Sequence, residues 1–167
     1  MDKAYGVFAY KFDWAKGALL EPAFNFLHAI PRGIKENTIK ITDKHVVVAD
    51  HADVIHVLDL NDLEEQQIAI GGVLLGFDSL GDLIVTMSTD SFENDRIVFK
   101  LWQVNTNTIA QILSPISQFE MAGSCERFCL CSESLSSDAV IVAAAIKTAG
   151  SPRVVMINLA KNELGAF

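Results

Sequence analysis

The sequence VLLGFDSLGDLIVTM, residues Val73–Met87, and the sequence RIVFKLWQV, residues Arg96–Val104, decide the fold of this chain. Both are rich in large apolar and β-branched residues, and the glycine, serine and aspartate between them are residues that turns favour. The pattern predicts strands at Val73–Phe77, Leu83–Met87 and Arg96–Val104, followed by a fourth strand at Thr108–Leu113. Short strands separated by clusters of turn residues are typical of an all-β fold.

The third of these strands belongs to a pattern that occurs four times along the chain. Each time, a large apolar residue precedes an Asp, Gln or Asn, another large apolar residue follows, and a polar turn comes next. The central residues are Phe12, Leu58, Trp102 and Ile157, which lie 46, 44 and 55 residues apart. A period of about 40–45 residues is typical of four-stranded propeller blades. The longer last interval is consistent with an insertion in a loop.

The repeat divides the chain, which we predict to be a single domain of residues 1–167, into successive blades. The N-terminal region is predicted to supply the third and fourth strands of one blade, at Tyr5–Trp14 and Ala23–Ile30. The last blade is predicted to have three strands and the start of a fourth near Leu164. The predicted units are blade remnants at 1–33 and blades at 37–70, 73–113 and 119–167.

The stretch Phe77–Val85, followed by Lys100–Asn107, resembles a WD40 repeat, and the match is best over residues 77–107. The phenylalanine, serine and glycine before the second strand and the lysine–apolar–tryptophan ending carry this resemblance. It implies a WD40-like β-propeller, of which this chain would form about three to four blades. Because WD40 propellers usually close with seven blades, the resemblance implies a partial or half propeller. It also implies a protein that binds other proteins, since that family mostly scaffolds complexes.

Three arrangements of such a half propeller remain open at the level of the sequence. The chain is a fragment of a larger propeller, or another chain, including a second copy, supplies the missing blades. Alternatively, it closes alone as a four-bladed ring in which the N-terminal strand completes the last blade. An open half-ring exposes apolar blade faces and unpaired strand edges, which folded proteins avoid. We therefore expect a partner chain or a missing segment to cover them.

Composition and charge narrow the classes of partner. Half of the 167 residues are hydrophobic, which is enough for a sizeable core and too much for a disordered chain. The net charge of −8 repels phosphate backbones, so direct contact with nucleic acid is not expected. No apolar run has the length of a membrane span, and the N-terminus does not have the pattern of a signal peptide. Three clustered cysteines favour a reducing compartment, so we expect an intracellular protein of the cytoplasm or nucleus.

Two clusters contain residue types that often bind metals, but neither is predicted to be a metal site. The first, on a predicted hairpin, matches no standard metal motif and is interpreted as a polar hairpin tip. The second is a cysteine group without the further ligands that structural zinc needs, and its alternating members are predicted to share a buried face. The clusters are His45, Asp50, His51, Asp53 and His56, and Cys125, Cys129 and Cys131. No nucleophile elbow or phosphate-binding loop is present, so no catalytic, cofactor-binding or metal-binding residue is predicted.

The polar loop Ser88–Asp95 is the most distinctive predicted exposed segment. Phe92 lies in it between the acidic residues Asp90 and Glu93, and we predict these three as partner contacts. The sequence thus favours a non-enzymatic protein–protein interaction scaffold, as a propeller subunit or fragment of a multiprotein complex. The alternative is a propeller enzyme or ligand-binding propeller with a site in the central channel.

Overall fold

The computed structural model describes residues 8–13, 15–25, 30, 33–60, 64–89, 96–104, 112–131, 139–147 and 152–166. The regular elements in these ranges are fourteen β-strands, which confirms the predicted all-β class. No helix in the same ranges is long and apolar enough to cross a membrane. The strands are β1 (Phe8–Asp13), β2 (Ala18–Asn25), β3 (Ile34–Ile41), β4 (His45–Asp50), β5 (Val54–Asp59), β6 (Glu65–Ala69), β7 (Val73–Leu80), β8 (Leu83–Thr89), β9 (Arg96–Gln103), β10 (Ser117–Ala122), β11 (Ser124–Leu130), β12 (Ile141–Lys147), β13 (Arg153–Asn158) and β14 (Glu163–Ala166).

The described strands form an N-terminal hairpin, β1–β2, and three antiparallel four-stranded sheets. The first sheet is β3–β6, the second is β7–β10 and the third is β11–β14, and in each sheet the strands pair in chain order. Short turns make this possible, because antiparallel neighbours need no crossover. Between β7 and β8, for example, Gly81 adopts a φ of 59°, which glycine reaches without steric cost.

The repeat found in the sequence is a repeat in space within these three sheets. The central residue of each pattern lies on the third strand and pairs with the second residue of the second strand. The backbone N–H two residues after the central residue donates to the carbonyl of the residue that precedes the second strand, with N···O distances of 2.7–2.9 Å. The pairs are Leu58 with Val46, Trp102 with Ile84, and Ile157 with Val142. The N–H donors are Leu60, Val104 and Leu159, and the acceptors are Lys44, Asp82 and Val140.

The three sheets stack face to face in chain order. We call the side of a sheet that is turned toward the preceding sheet its near face, and the opposite side its far face. The far face of the first sheet packs on the near face of the second, and the second packs on the third in the same way. The first contact includes Val47, Val57, Ile84 and Trp102, and the second includes Val85, Phe99, Val142 and Ile157. Both faces of the second sheet are therefore covered, which explains its nearly continuous apolar strands.

The fourth strand of the second sheet differs from the sequence prediction. The sequence predicts it at Thr108–Leu113, but β10 at Ser117–Ala122 pairs with β9 instead. Residues 105–111 lie outside the described residues. At the end of the predicted segment, Ile112 forms a parallel bridge with Gln67, and the Leu113 N–H donates to the Gln67 carbonyl at 2.9 Å. The free edge of β6 thus provides a second place for an apolar extended segment to pair.

The ends of the chain also refine the prediction. The third sheet has a complete fourth strand, β14, which pairs with β13. All four of its described strands come from residues 124–166. The N-terminal strand therefore does not complete this sheet, although the four-bladed ring considered above requires it to. The N-terminal hairpin is a separate two-stranded sheet, and its second strand begins at Ala18 rather than Ala23.

Candidate functional site

The predicted partner contacts Asp90, Phe92 and Glu93 lie outside the described residues, which exclude 90–95. They stay predictions from the sequence. The described polar clusters and the faces of the sheets hold the remaining candidates for a site.

The histidine-rich segment is a hairpin, as predicted. His45 lies on β4, His56 lies on β5, and His51 and Asp53 belong to the turn between them. One carboxylate oxygen of Asp50 accepts hydrogen bonds from the backbone N–H groups at positions 52 and 54, at 2.8 and 2.9 Å. Asp53 takes a φ of 61°, which aspartate tolerates better than most residues. These contacts build the turn, in agreement with its interpretation as a polar hairpin tip.

A buried hydrogen-bond network joins this hairpin to β6. His56 is 3% exposed, and its Nδ1 lies 2.7 Å from a Glu65 carboxylate oxygen, while its Nε2 lies 3.4 Å from Asp50. Gln67 donates to the same Glu65 oxygen at 2.9 Å. Burial favours the neutral imidazole, but the hydrogen bonds to Glu65 and Asp50 outweigh it and raise the pKa of His56. Burial likewise opposes ionisation of Glu65, yet hydrogen bonds from His56 and Gln67 lower its pKa.

This network holds three strands together. Within the described ranges, no group of three His, Cys, Asp or Glu side chains has a geometry that could hold a metal ion. The paired charges satisfy one another inside the first sheet, as buried ionisable groups must.

A row of ion pairs joins the first sheet to the second. Lys40 Nζ lies 3.2 Å from Asp78 Oδ1, and Lys44 Nζ lies 3.1 Å from Asp82. Asp78 also reaches the third sheet, because its Oδ2 accepts a hydrogen bond from the Leu130 N–H at 2.9 Å. Asp78 therefore connects all three sheets at their first strands, β3, β7 and β11.

The cysteines depart from the sequence prediction in one respect. Cys129 and Cys131 share one face of the third sheet, as predicted, but neither is buried: Cys129 is exposed and Cys131 is partly exposed. Burial raises the pKa of the Cys125 thiol, against the weaker effect of a backbone hydrogen bond. All three are free thiols. Cys129 lies on the far face of the third sheet, and its exposure shows that this face is open there.

The far face of the third sheet is apolar along its centre, and no sheet of the described residues covers it. By strand register, four positions on it are equivalent to four positions on the covered far face of the second sheet. On the second sheet they are Val85, Met87, Phe99 and Leu101, all 3% exposed or less, and on the third they are Ala143, Ala145, Val154 and Met156. Val154 is 62% exposed, whereas Phe99 at the equivalent position is 0% exposed. The same face has a hollow of about 380 Å³, lined by Cys131, Ile141, Met156, Asn158, Glu163, Leu164 and Gly165.

The sequence holds a signal for this face that the prediction did not use. Strand β12 reads IVAAAIK, so both of its alternating sets of side chains are apolar. Strands with two apolar faces are typical of sheets that are covered on both sides. In the described residues the near face of β12 is buried and its far face is not.

Neither a protein-family model nor a curated protein matches the sequence. Among solved structures, the chain is similar to the uncharacterized protein lmo1340 from Listeria monocytogenes EGD-e, with a TM-score of 0.53 and 10% sequence identity. The similarity covers 80% of this chain and 41% of the Listeria chain, so the present chain spans less than half the length of that protein. At this identity the similarity concerns the fold alone. The chain is an all-β protein of four-stranded antiparallel sheets, similar in fold to this Listeria protein.

Proposed function

We propose that this chain is a non-enzymatic protein–protein interaction scaffold, built from propeller-type blades and acting as a subunit or part of a multiprotein complex. The observation that carries the proposal is the uncovered far face of the third sheet. Equivalent positions elsewhere in the same chain are covered by another sheet, so the chemistry of this face suits contact with protein. Contiguous exposed apolar surface on soluble proteins commonly marks an interaction site.

One feature of the arrangement of the sheets and one feature within a sheet support propeller-type blades. The first strand of each sheet contacts the first strand of the next, β3 with β7 and β7 with β11, as strands around a common axis would. In the second sheet, Trp102 Nε1 donates to Thr86 Oγ1 at 2.9 Å in the buried core. This bond joins the second and third strands of the repeat that most resembles WD40. Propellers close with four to eight blades, so further sheets would come from elsewhere.

The charge of the chain bears on its partner. With a net charge of −8, it favours neutral or basic protein surfaces over nucleic acid. The three free cysteines agree with an intracellular location in the cytoplasm or nucleus, which belongs to the same proposal.

Site-specific photocrosslinking in cells tests the proposal. A photoreactive phenylalanine analogue at position 154 would report on the far face of the third sheet, and the same analogue at position 116 is the control. Val154 and Ile116 are matched in exposure, at 62% and 58%. We expect a discrete protein crosslink from position 154 that position 116 does not give. Equal crosslinking at both positions, or none at position 154, would contradict the proposal.

The alternative, a propeller enzyme or ligand-binding propeller, makes a different prediction. Metal analysis of the purified protein and a panel of hydrolase substrates separate the two functions. A stoichiometric, tightly bound metal ion or a robust hydrolase activity would argue against the scaffold.

A further inference from the structure

We propose that the far face of the third sheet binds the same face of a second copy of this chain, with a twofold axis parallel to the strands between β12 and β13. This inference rests on the interaction surface of the proposed function and names its partner. The contact sets β11 of one copy opposite β14 of the other, so it covers the face without adding a further propeller blade. It depends on the pattern of small and large side chains on the face, on the stacking already present in the chain, and on the area of the face.

Along the centre of this face the side chains of β12 are small and those of the neighbouring β13 are large. Ala143 and Ala145 lie two residues apart on β12 and are neighbours on this face. Their register partners on β13 are Met156 and Val154. The small residues thus form a shallow groove along one strand, and the large residues form a ridge along its neighbour. On both strands these residues are partly or fully exposed.

A twofold axis parallel to the strands brings groove and ridge together. Such an axis places β12 of one copy opposite β13 of the other and keeps each residue at the same height along the strands. Ala143 then faces Met156 of the second copy, and Ala145 faces Val154 of the second copy. An axis across the strands would set small against small and large against large, which leaves gaps and clashes.

Among the described residues, the same operation sets no like charges opposite each other, and the charged residues of this face, Arg127, Lys147 and Glu163, lie at its edges. Glu163 falls opposite Cys131, and Lys147 falls opposite the row of Pro152. Cys129 falls opposite Gly165, where the lack of a side chain leaves room for the exposed thiol. The apolar centre is therefore free of buried, unpaired charge, which would oppose association.

Face-to-face stacking of four-stranded sheets already occurs twice within the chain. In each case a far face packs on a near face, whereas the proposed contact sets two far faces together. The far faces of the first and second sheets are each covered by another four-stranded sheet, and the proposed contact covers the third far face with a sheet as well. Sheets that pack face to face keep their strands within about 30° of one another. An axis parallel to the strands satisfies this condition.

The area of the face is small for a stable dimer. Four strands about 4.8 Å apart and about six residues long present roughly 400 Å² per copy, or roughly 800 Å² in total. Stable complexes bury about 1,200–2,000 Å². We therefore expect a weak, reversible dimer whose population depends on concentration.

Sedimentation velocity over a concentration range from about 5 to about 500 μM tests the inference in the full chain. The wild-type protein should pass from monomer to dimer. Ala143→Glu and Met156→Arg should each weaken self-association at least about tenfold, because each places in the apolar contact a charge that has no charged register partner on its own sheet. Ile116→Arg, a substitution at an exposed apolar residue away from this face, should leave it unchanged.

Mixing the two single variants is the decisive step. In a mixed dimer the new carboxylate of one copy faces the new guanidinium of the other, so Ala143→Glu and Met156→Arg together should restore a heterodimer. Circular dichroism of each variant establishes that it is folded.

A wild-type protein that stays monomeric throughout overturns the inference, as does a dimer that survives Met156→Arg or a mixture that fails to associate. A monomer that still gives a discrete crosslink to another protein from position 154 would leave the proposed scaffold standing and remove only the second copy as its partner.

Discussion

The far faces of the second and third sheets place equivalent residues in opposite surroundings. On the second sheet, Phe99 and Leu101 are fully buried against the third sheet. On the third sheet, Val154 and Met156 occupy the same positions with no described residue packed over them as a further sheet. The repeated backbone is the same, so the two faces differ in whether another sheet packs against them.

The side chains on the two faces differ in size but not in polarity along the centre. Val85 and Met87 of the second sheet become Ala143 and Ala145 in the third. The uncovered face is flatter and smaller but no more polar along its centre. A face selected only for contact with water would be expected to alternate toward charged residues. The apolar residues along this centre are what we expect if a partner covers the face, as proposed above.

The largest expected effect is a loss of stability on the covered face of the second sheet. Phe99→Ala should lower the free energy of unfolding by about 3–5 kcal/mol, because it removes a buried aromatic ring and leaves a cavity. The ring also makes an edge-to-face contact with Phe128 at 5.5 Å between centroids. Val154→Ala, at the equivalent uncovered position, should change it by less than about 0.5 kcal/mol. Urea denaturation monitored by tryptophan fluorescence measures both.

The two variants should be compared at a protein concentration where the wild type is monomeric, so that self-association does not contribute. Equal losses of stability from Phe99→Ala and Val154→Ala would mean that the two faces are covered alike.

A smaller effect is expected at the polar junction that holds the stack together. Asp78→Ala removes the ion pair with Lys40 and leaves the Leu130 N–H without its acceptor. We expect a loss of about 1–3 kcal/mol, the usual cost of leaving a partly buried donor unpaired. Asp82→Ala is the matched control, because its ion pair with Lys44 is more exposed and such pairs contribute about 0–1 kcal/mol. Thermal unfolding of both variants checks the difference, and a larger loss from Asp82→Ala would contradict it.

Much of this architecture could be predicted from the sequence, because it depends on local alternation. The recurrence of Leu58, Trp102 and Ile157 located the third strand of each sheet, and the register confirms that they are equivalent. Turn residues such as Gly81 located the hairpins. These features need only the preferences of a few neighbouring residues.

The rest depends on contacts between distant segments. Strand β10 was missed because Thr108–Leu113 has similar strand propensity, and only the free edge of β6 explains why its end pairs elsewhere. The exposure of Cys129 and Val154 was missed because alternation shows which residues share a face and does not show whether another sheet covers it. For the same reason the sequence could predict uncovered apolar faces in general without locating this one.

The smallest expected effect concerns the first sheet, where burial is combined with a titratable network instead of an apolar contact. The raised pKa of folded His56 means that its pairing with Glu65 and Asp50 contributes fully to stability below its ordinary pKa of 6.5, and that this contribution is lost as the pH rises through the raised value. The lowered pKa of Glu65 acts at the other end, since its contribution is present above 4.5 and is lost as the pH falls through the lowered value.

Between about pH 4.5 and 6.5 both contributions are complete, so the network should be strongest in mildly acidic solution. His56→Gln should therefore flatten the decline in the free energy of unfolding between about pH 6.5 and 8 relative to wild type, as measured by urea denaturation at each pH. The effect should be small, because a neutral imidazole can keep one of its two hydrogen bonds. His51→Gln, at the exposed turn of the same hairpin, should leave the wild-type decline in place. A wild-type protein that grows more stable over this interval would show that His56 is not held protonated by its two carboxylate partners.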